Sequence, residues 1–387
     1  MTKTPSMFSD HNSSLQMVWD STSLKALMFC PTFYKRTILE GWRSKGAVDL
    51  EFGIMFASAV ETFKKGRLEG LSKVDAQLAS LKKVLEDSWL PGGNTGHCPC
   101  PDGCNGCEQP DGKPWGGSYE DLWHCTGTEP YKNSKGNKAK CPWSHKGKWF
   151  PAPAPSTCGE CGSETETHRH WLPADKTKNR VSLVRAIIWY TEDQPDTMYS
   201  GGLKPFAFPD GVPAVELSFK LPLDYANRYD EPYILAGHID SILQNEDGSE
   251  LFIADNKTTK KFLGKAFQAS FSPNIQMDVY DLAGSILFPT LPIRGVAIEA
   301  AQILHDGARF ATYPLHRTEA QREETLTNLS RWFDTAEEYA ESQNWPMSTA
   351  NCWLCPLKGI CSKDPSQREL YLRADFEQKF WNPLDER

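Results

Sequence analysis

Two carboxylates and a lysine lie in short motifs whose residue types and spacing suit metal-dependent hydrolysis. Gly237 and Asp240 form Gly-x-x-Asp, and Asp255 and Lys257 form Asp-x-Lys-Thr. A hairpin turn predicted at Asp247-Gly248 makes these segments neighbouring strands. Paired carboxylates bind hard cations such as Mg²⁺ or Mn²⁺, and side chains two apart point to one strand face. We therefore expect Asp240 and Asp255 to hold a metal ion beside Lys257.

Further polar groups follow these motifs closely. A lysine beside metal-bound acids can orient the attacking water and stabilise charge on a phosphate. The carbonyl of Asn256 is a candidate for a further metal ligand. Gln276 and Tyr280 are four residues apart on a helix that Ser272-Pro273 is predicted to open, so they share a face. Both can hydrogen-bond a phosphate or position Lys257.

The order Gly-x-x-Asp, Asp-x-Lys-Thr and Gln-x-x-x-Tyr resembles the RecB-like branch of the PD-(D/E)XK nucleases, over residues 23–61 and about 213–361. The resemblance implies an α/β restriction-endonuclease-like core, with a mixed sheet flanked by helices. It implies a metal-dependent deoxyribonuclease, an exonuclease on DNA ends in recombination, repair or spacer processing. It also gives Glu216 a family position as an outer metal ligand, although an exposed strand charge is an equal alternative. For all the motifs together, the alternative is a solvated hairpin with surface charges.

The match departs from the family at one position. The family usually carries a histidine on an early helix, in the motif Gly-x-x-x-His-x-x-x-Glu. In this sequence Gly53 and Glu61 match the ends of the motif, and Ala57 stands at the histidine position. Glu61, one helical turn on, and His238, on the strand face of Asp240, are the candidate replacements. We favour for His238 a hydrogen-bonding role near the site. The missing histidine leaves open a catalytically weak or inactive fold that binds DNA ends. A subunit of a helicase–nuclease complex is a further alternative, with the helicase on another chain because no Gly-x-x-x-x-Gly-Lys-Ser/Thr motif is present.

The cysteines near the two ends form a second resemblance. Cys30, in Phe-Cys-Pro, and the Cys-x2-Cys-x5-Cys run resemble the four-cysteine iron–sulfur staple of AddB-type nucleases and CRISPR-associated RecB-like exonucleases; the run comprises Cys352, Cys355 and Cys361. The resemblance implies a structural [4Fe–4S] cluster that joins the N- and C-terminal parts. Spacing alone does not choose the metal, because zinc also accepts four cysteines. Buried free thiols are the remaining alternative.

A central block, 92–170, is rich in Gly and Pro and has Leu122 as its one residue among Val, Ile, Leu and Met. Such a segment cannot form an apolar core, so we predict an insertion organised by one or two Zn²⁺ ions. Its candidate ligands are eight cysteines: Cys98, Cys100, Cys104, Cys107, Cys125, Cys141, Cys158 and Cys161. Ligand pairing stays open, and His124, His168 or His170 are substitutes. A metal-free disordered loop is the alternative.

Six lysines and no acid lie within 131–149 of this insertion, interleaved with aromatic residues. Lysines contact phosphates and aromatic rings stack on unpaired bases. We predict a DNA-contacting knuckle that uses Lys138, Lys140, Trp143 and Lys146. A solvated charge run and a protein-docking surface are the alternatives.

The elements that must position these groups follow from periodicity and caps. Helices are predicted over 23–29 and 53–90, the second interrupted at Lys64-Lys65-Gly66, and a final helix follows the capping box of Thr318 and Gln321. The apolar face of that helix is Leu326, Leu329, Phe333, Ala336 and Ala340. Strands are predicted over 181–190, 214–221, 233–243, 250–257, 293–304 and 308–315. The predicted domains are a helical part (1–91), the zinc-binding insertion (92–172), the nuclease core (173–317) and a C-terminal helix with the iron–sulfur motif (318–387).

The composition limits partners and location. The 387 residues carry a formal net charge of −8, which excludes a histone-like coat of nucleic acid but allows a local basic groove. No apolar run reaches the roughly 20 residues of a membrane-spanning helix, and the polar N-terminus lacks the plan of a signal peptide. We expect a cytoplasmic protein in a reducing compartment, without a membrane partner. Its expected partners are single- or double-stranded DNA ends and a helicase or recombination protein.

Overall fold

The computed structural model describes residues 7–44, 48–90, 113–128, 130–132, 135, 137–142, 149–198 and 200–384. The chain forms two compact units, one of Met1–Lys83 with Ala186–Arg387 and the other of Val84–Arg185. Among the described residues, no helix combines the length and apolar character needed to cross a membrane.

Short runs of helices and longer runs of strands follow one another along the described chain. The helices are α1 (Ser21–Phe29), α2 (Pro31–Tyr34, continued by a π-helical turn Lys35–Leu39), α3 (Val48–Leu68), α4 (Lys73–Asp87), α5 (Arg180–Asp193), α6 (Lys265–Ala269), α7 (Ile275–Leu287), α8 (Glu319–Ser342), α9 (Lys358–Cys361) and α10 (Arg368–Asp375). The strands are β1 (Val18–Trp19), β2 (Trp42–Ser44), β3 (Trp89–Leu90), β4 (Lys113–Pro114), β5 (Gly117–Cys125), β6 (Tyr131–Lys132), β7 (Lys138–Ala139), β8 (Phe150–Pro151), β9 (Thr165–Pro173), β10 (Leu203–Pro205), β11 (Val215–Ala226), β12 (Pro232–Asn245), β13 (Leu251–Thr259), β14 (Ile293–Ile303), β15 (Ala308–His316) and β16 (Phe376–Gln378).

The larger unit is built around a mixed sheet in which β12 is central. β10 and β11 pair antiparallel with one edge of β12, while β1, parallel, and β13, antiparallel, share its other edge. The sheet continues through β14, parallel to β13, and β15, antiparallel to β14. The mixed α/β architecture predicted from the sequence is thereby confirmed.

Strands β12 and β13 separate in the middle of the sheet. Their paired residues run from Gln244 opposite Leu251 to Ser241 opposite Ala254. Beyond that pair β13 continues beside β14, whereas β12 continues beside β1 and β11. Asp240 and Asp255 are the first residues past the last pair, so the strands diverge where the two carboxylates stand. We call this place the fork.

Helices cover the sheet through apolar side chains at helical spacing. Val279, Leu282 and Ala283 of α7 belong to one core with Ile239 and Ile253 of the sheet, which Leu329, Phe333, Ala336 and Ala340 of α8 also join. Helix α3 contacts β11, β12 and β13, and the aromatic rings of Phe56 and Phe63 pack edge-on against Tyr190. The core therefore fixes the helices that carry the candidate site.

The strand predicted over 181–190 is wrong, because this segment lies in helix α5. Its buried residues Leu183, Ala186, Ile187 and Tyr190 recur at helical spacing, and Val181 is exposed. Asn179 caps the helix by accepting from the Ser182 amide at 3.0 Å. A short apolar run fits either periodicity, and the cap decides for the helix.

Three helix details also differ from the prediction. Helix α3 runs through Lys64 to Leu68 without interruption, because Lys64 is buried against polar partners; the break follows at Gly70, which has a φ of +94°. Helix α7 begins at Ile275 with Asn274 as its cap, two residues after the predicted Ser272. In α8 the predicted capping box of Thr318 and Gln321 is confirmed, but Leu326 is 41% exposed and does not join the apolar face.

The smaller unit has a three-stranded sheet in the order β8-β5-β9. The long pairing of β5 with β9 runs from Gly117 opposite Pro173 to Cys125 opposite Thr165. Trp123 stacks on Phe150 of β8 with ring centroids 4.8 Å apart. Apolar packing here is limited, and a second buried cluster consists of cysteines.

Candidate active site

The fork brings together the carboxylates of the two strand motifs. Asn256 lies beyond the last backbone pair of β12 and β13. Its backbone amide donates to Asp240 Oδ2 at 2.7 Å, and its side-chain Nδ2 donates to the same oxygen at 3.2 Å. Asp255 is 3% exposed, and Lys257 Nζ lies 2.5 Å from its Oδ2. The alternation of the strand therefore places the lysine beside the acid, as the two-residue spacing predicts.

Helix α7 contributes the next two polar groups. Gln276 Nε2 donates to Asp255 Oδ1 at 3.0 Å and to Tyr280 Oη at 3.3 Å. The Asn274 cap orients the first turn by accepting from the Gln276 amide at 3.0 Å. The i, i+4 pair thus reaches Asp255 through Gln276, and Lys257 contacts the other oxygen of the same acid.

Helix α3 supplies a further carboxylate at the fork. Glu61 is 7% exposed, lies beside Glu216 of β11 and is in the field of Asp240. Glu216 is exposed and has a left-handed backbone, with a φ of +55°. Such a conformation is uncommon for a residue other than glycine and is often found at functional sites. Glu216 is thus an exposed strand residue that also lies beside Glu61.

Burial and crowding raise the pKa values of two of these acids. Burial, the charge of Asp240 and the contact with Glu216 raise the pKa of Glu61 to about 9. Burial also raises the pKa of Asp255 to about 6; Lys257 opposes this shift, and the nearby acids Asp240 and Glu299 add to it. The metal-free fork is consequently a place where negative charge is in excess.

A buried ion pair lies one helical turn beyond Glu61. Lys64 is 2% exposed; its Nζ donates to Ser241 Oγ at 3.1 Å and to Glu299 of β14. Lys64 was expected to help break the helix, and neither it nor Glu299 was expected at the site. The one signal in the sequence was that Lys64 lies three residues after Glu61 on the predicted helix. A lysine on a helix is usually exposed to solvent, so this spacing did not predict a buried ion pair.

The two other positions considered for the missing histidine have different surroundings. Ala57 is half-buried on α3 and has no polar atom on its side chain. His238 Nδ1 is 2.8 Å from Ser218 Oγ, across the β11–β12 pair. This contact agrees with the hydrogen-bonding role favoured for His238, and Glu61 is the helix residue that reaches the acids.

The residues at the fork fit a hard divalent cation. Asp240 lies in the field of both Glu61 and Asp255, and Glu61 lies beside Glu216, so four acids neighbour one another around the fork. No three of these four described residues have carboxylate oxygens within 4.8 Å of one another. Asp255 Oδ2 is buried and, apart from its ion pair with Lys257, receives no hydrogen bond of normal geometry from the described residues. Oxygen-rich sets of this kind suit Mg²⁺ and Mn²⁺ rather than softer metals.

The four cysteines predicted to form the iron–sulfur staple lie near one another. The Ser348 amide donates to Cys30 Sγ at 3.3 Å, and Cys352 Sγ lies 3.5 Å from the Ser348 carbonyl. Burial raises the pKa values of Cys355 and Cys361, and the other cysteines add to the shifts. The four sulfurs do not all lie within 4.8 Å of one another. A tetrahedral zinc site with Zn–S bonds of about 2.3 Å would need sulfurs about 3.8 Å apart.

Four of the eight insertion cysteines form a tighter cluster. The sulfurs of Cys125, Cys141, Cys158 and Cys161 all lie within 4.8 Å of one another. The distance is 3.4 Å between the sulfurs of Cys125 and Cys161 and 3.8 Å between those of Cys141 and Cys158. This spacing fits one tetrahedral metal ion. The other four cysteines lie outside the described residues: Cys98, Cys100, Cys104 and Cys107.

The histidines considered as substitutes do not join these thiols. His124 and His168 instead stand together with Glu166, with all their ligand atoms within 4.8 Å. Of the DNA-contact candidates, Lys138 and Lys140 are exposed at and after β7, and Trp143 and Lys146 lie outside the described residues.

Comparison with known families adds one finding. The sequence model of the PD-(D/E)XK nuclease superfamily matches residues 162–362, more than half of the chain. The match includes the fork strands, α7 and the three C-terminal cysteines, whereas Cys30 and α3 precede it. No curated protein matches the chain significantly.

Proposed function

Since the chain belongs to the PD-(D/E)XK nuclease superfamily, we propose that it is a metal-dependent deoxyribonuclease of the RecB-like branch, an exonuclease that acts on DNA ends. The observation that carries the proposal is the convergence of Asp240, Asp255 and Lys257 at the fork, with Gln276 bound to Asp255. A solvated hairpin would leave these side chains exposed and apart, and Asp240 and Asp255 are both buried.

Mg²⁺ or Mn²⁺ would be held by Asp240, Asp255 and the Asn256 carbonyl, and Glu61 would be a further ligand in place of a histidine at position 57. Glu216 would support the cation from an outer position through its contact with Glu61. A bound divalent cation lowers the pKa of coordinated water and polarises the phosphoryl oxygen.

Three side chains that do not bind the metal would orient the reacting groups. Lys257, held by Asp255 at 2.5 Å, presents an ammonium group that orients the attacking water and stabilises negative charge on the scissile phosphate. Gln276 fixes the other oxygen of Asp255 and is in turn contacted by Tyr280. These two residues are therefore positioning groups that can also contact the DNA backbone.

The two cysteine sets would have different structural metals. The wider set, Cys30 with Cys352, Cys355 and Cys361, supports a [4Fe–4S] cluster, because a four-iron cluster separates its thiolates more than a single ion does. The compact set in the insertion supports one Zn²⁺ ion. A second Zn²⁺ ion would need the cysteines between 98 and 107. The exposed Lys138 and Lys140, with Trp143 and Lys146, would contact DNA phosphates and bases.

The test is a nuclease assay on full-length protein purified without oxygen. End-labelled linear DNA and closed circular DNA are incubated with Mg²⁺ or Mn²⁺, using wild type, Asp255→Asn and Lys257→Ala. Lys25→Ala, an exposed lysine on α1, is the matched control. We expect digestion of linear but not circular DNA, at least about a hundredfold slower in both site variants and unchanged in the control.

Other outcomes separate the alternatives. Cutting of circles at the same site would replace exonuclease by endonuclease. Binding of DNA ends without cutting by the iron-loaded protein would contradict the enzyme and favour a DNA-end-binding module. Activity that requires a copurifying ATPase would identify a subunit of a helicase–nuclease complex in recombination or repair.

A further inference from the structure

A basic and aromatic loop follows the catalytic strand directly. The segment 256–277 contains four lysines and no acid. Three of these lysines lie beyond β13, and Lys260, Lys261 and Lys265 are exposed. Phe262 stands among them with 67% of its surface exposed. We call residues 260–265 the β13 loop.

The β13 loop and the helix α6 that follows it are anchored by other apolar side chains, not by Phe262. Leu263 and Phe267 pack against the core formed by Phe271 and Met277, and Tyr313 Oη donates to the Leu263 carbonyl at 3.1 Å. Phe262 instead faces solvent, where its apolar surface gives no folding free energy.

The ring of Phe262 nevertheless has a defined setting. The Arg309 guanidinium carbon lies 5.7 Å from the ring centroid, a distance typical of a cation–π contact. A Cβ placed on Gly264 would be 3.0 Å from two carbons of the ring, so the ring rests against the backbone at Gly264. The loop therefore presents an oriented aromatic ring surrounded by positive charge.

We propose that Phe262 stacks on an unpaired base of the DNA substrate while the lysines of the β13 loop contact its phosphates. Aromatic rings combined with basic side chains are the usual means of binding single strands without reading sequence. Phe262 follows Lys257 by five residues, so it lies within about 17 Å of it along the chain. The substrate class would be DNA ends with a single-stranded segment. The inference rests on the proposed function, because it names the substrate of the same site.

The test measures binding without catalysis. Full-length protein is titrated in EDTA against fluorescent blunt duplex, duplex with a single-stranded tail, and a single-stranded oligonucleotide. We expect Phe262→Ala to weaken binding of the last two by about 5- to 150-fold and to leave blunt duplex unchanged. Phe262→Trp should retain the affinity, whereas Phe262→Leu should not. Phe380→Ala removes another ring, 64% exposed, and should bind like wild type.

Lys261→Ala separates the charge from the stacking. It should weaken all three DNAs similarly and reduce the dependence of affinity on salt by about one counterion. Equal loss on blunt and tailed DNA in Phe262→Ala, or wild-type binding by Phe262→Leu, would overturn the inference.

The two hypotheses can fail separately. Tail binding that depends on Phe262 in a protein that cuts no DNA would support this inference and contradict the proposed function. If cutting depends on Asp255 but binding of tailed DNA does not depend on Phe262, the proposed function would be supported and this inference contradicted.

Discussion

Glu61→Gln is expected to stabilise the metal-free protein and to weaken metal binding. Glu61 is buried beside Asp240 and Glu216, and burial and these acids raise its pKa to about 9 from an ordinary value of 4.5. At pH 7 the side chain is therefore protonated in the folded state and ionised in the unfolded chain. Folding must take up a proton, which costs free energy that a neutral glutamine does not require.

The magnitude follows from the distance between pH 7 and the unfolded pKa of 4.5. At about 1.4 kcal/mol per pH unit the cost is roughly 3 to 4 kcal/mol at pH 7. Because the folded pKa is raised, the cost is absent below about pH 4.5 and grows until pH reaches about 9. Glu61→Gln should accordingly gain stability over wild type as pH rises through this window.

The assay is urea unfolding in EDTA at pH 4.5, 7 and 8.5, repeated with excess Mn²⁺. Metal should stabilise wild type by mass action and the variant by less, since a ligand is lost. Glu69→Gln, an exposed glutamate just past α3, should match wild type under every condition.

One result would refute this reasoning. If Glu61→Gln is no more stable than wild type in EDTA at any pH, Glu61 is not crowded by the fork acids. A gain in stability without any loss of Mn²⁺ stabilisation would retain the crowding and remove Glu61 from the metal ligands.

Three other changes test the remaining parts of the molecule. Cys125→Ser should lower zinc content by one ion per chain in elemental analysis, whereas loss of iron alone would contradict the assignment. Cys355→Ser should abolish the visible absorbance of the iron–sulfur cluster and leave zinc unchanged. The third change is at Glu231. Burial raises the pKa of this carboxyl group, but hydrogen bonds from Ser9 and Asn227 outweigh burial and lower the pKa to about 2. Glu231→Gln should thus lose about 2 kcal/mol at pH 7, allowing for solvent screening, and this difference in urea unfolding should vanish as pH falls from 4.5 towards 2.

The parts of the site encoded by local spacing could be predicted from the sequence. Asp255 and Lys257 share a face because strands alternate, and Gln276 meets Tyr280 because helices repeat every 3.6 residues. The turn at Asp247-Gly248 is sufficient to make their strands neighbours. Such relations involve few residues and survive errors of one or two positions in the ends of an element, as the later start of α7 demonstrates.

Relations that depend on tertiary packing could not be predicted in this way. Lys64 begins the run Lys64-Lys65-Gly66, which resembles a solvated break in the helix, but its partner Glu299 is 235 residues away. The helix at 181–190 has an apolar run that fits a strand equally well, until Asn179 caps it. Four of the eight insertion cysteines form a cluster. Cys125 ends β5, whereas the other three lie in irregular segments, and residue spacing does not predict how such segments come together.

The position of Glu61 depends on how α3 is attached to the sheet. Its side chain reaches the fork, and Lys64, three residues on, reaches Ser241 and Glu299. Ser241 pairs with Ala254, so it points to the sheet face opposite Asp255. The helix thus brings one acid to the fork and is held behind it by a buried ion pair. An ion pair taken out of water contributes little net stability but fixes geometry when both partners are present. We therefore attribute to Lys64 and Glu299 the register of α3 that brings Glu61 to the acids.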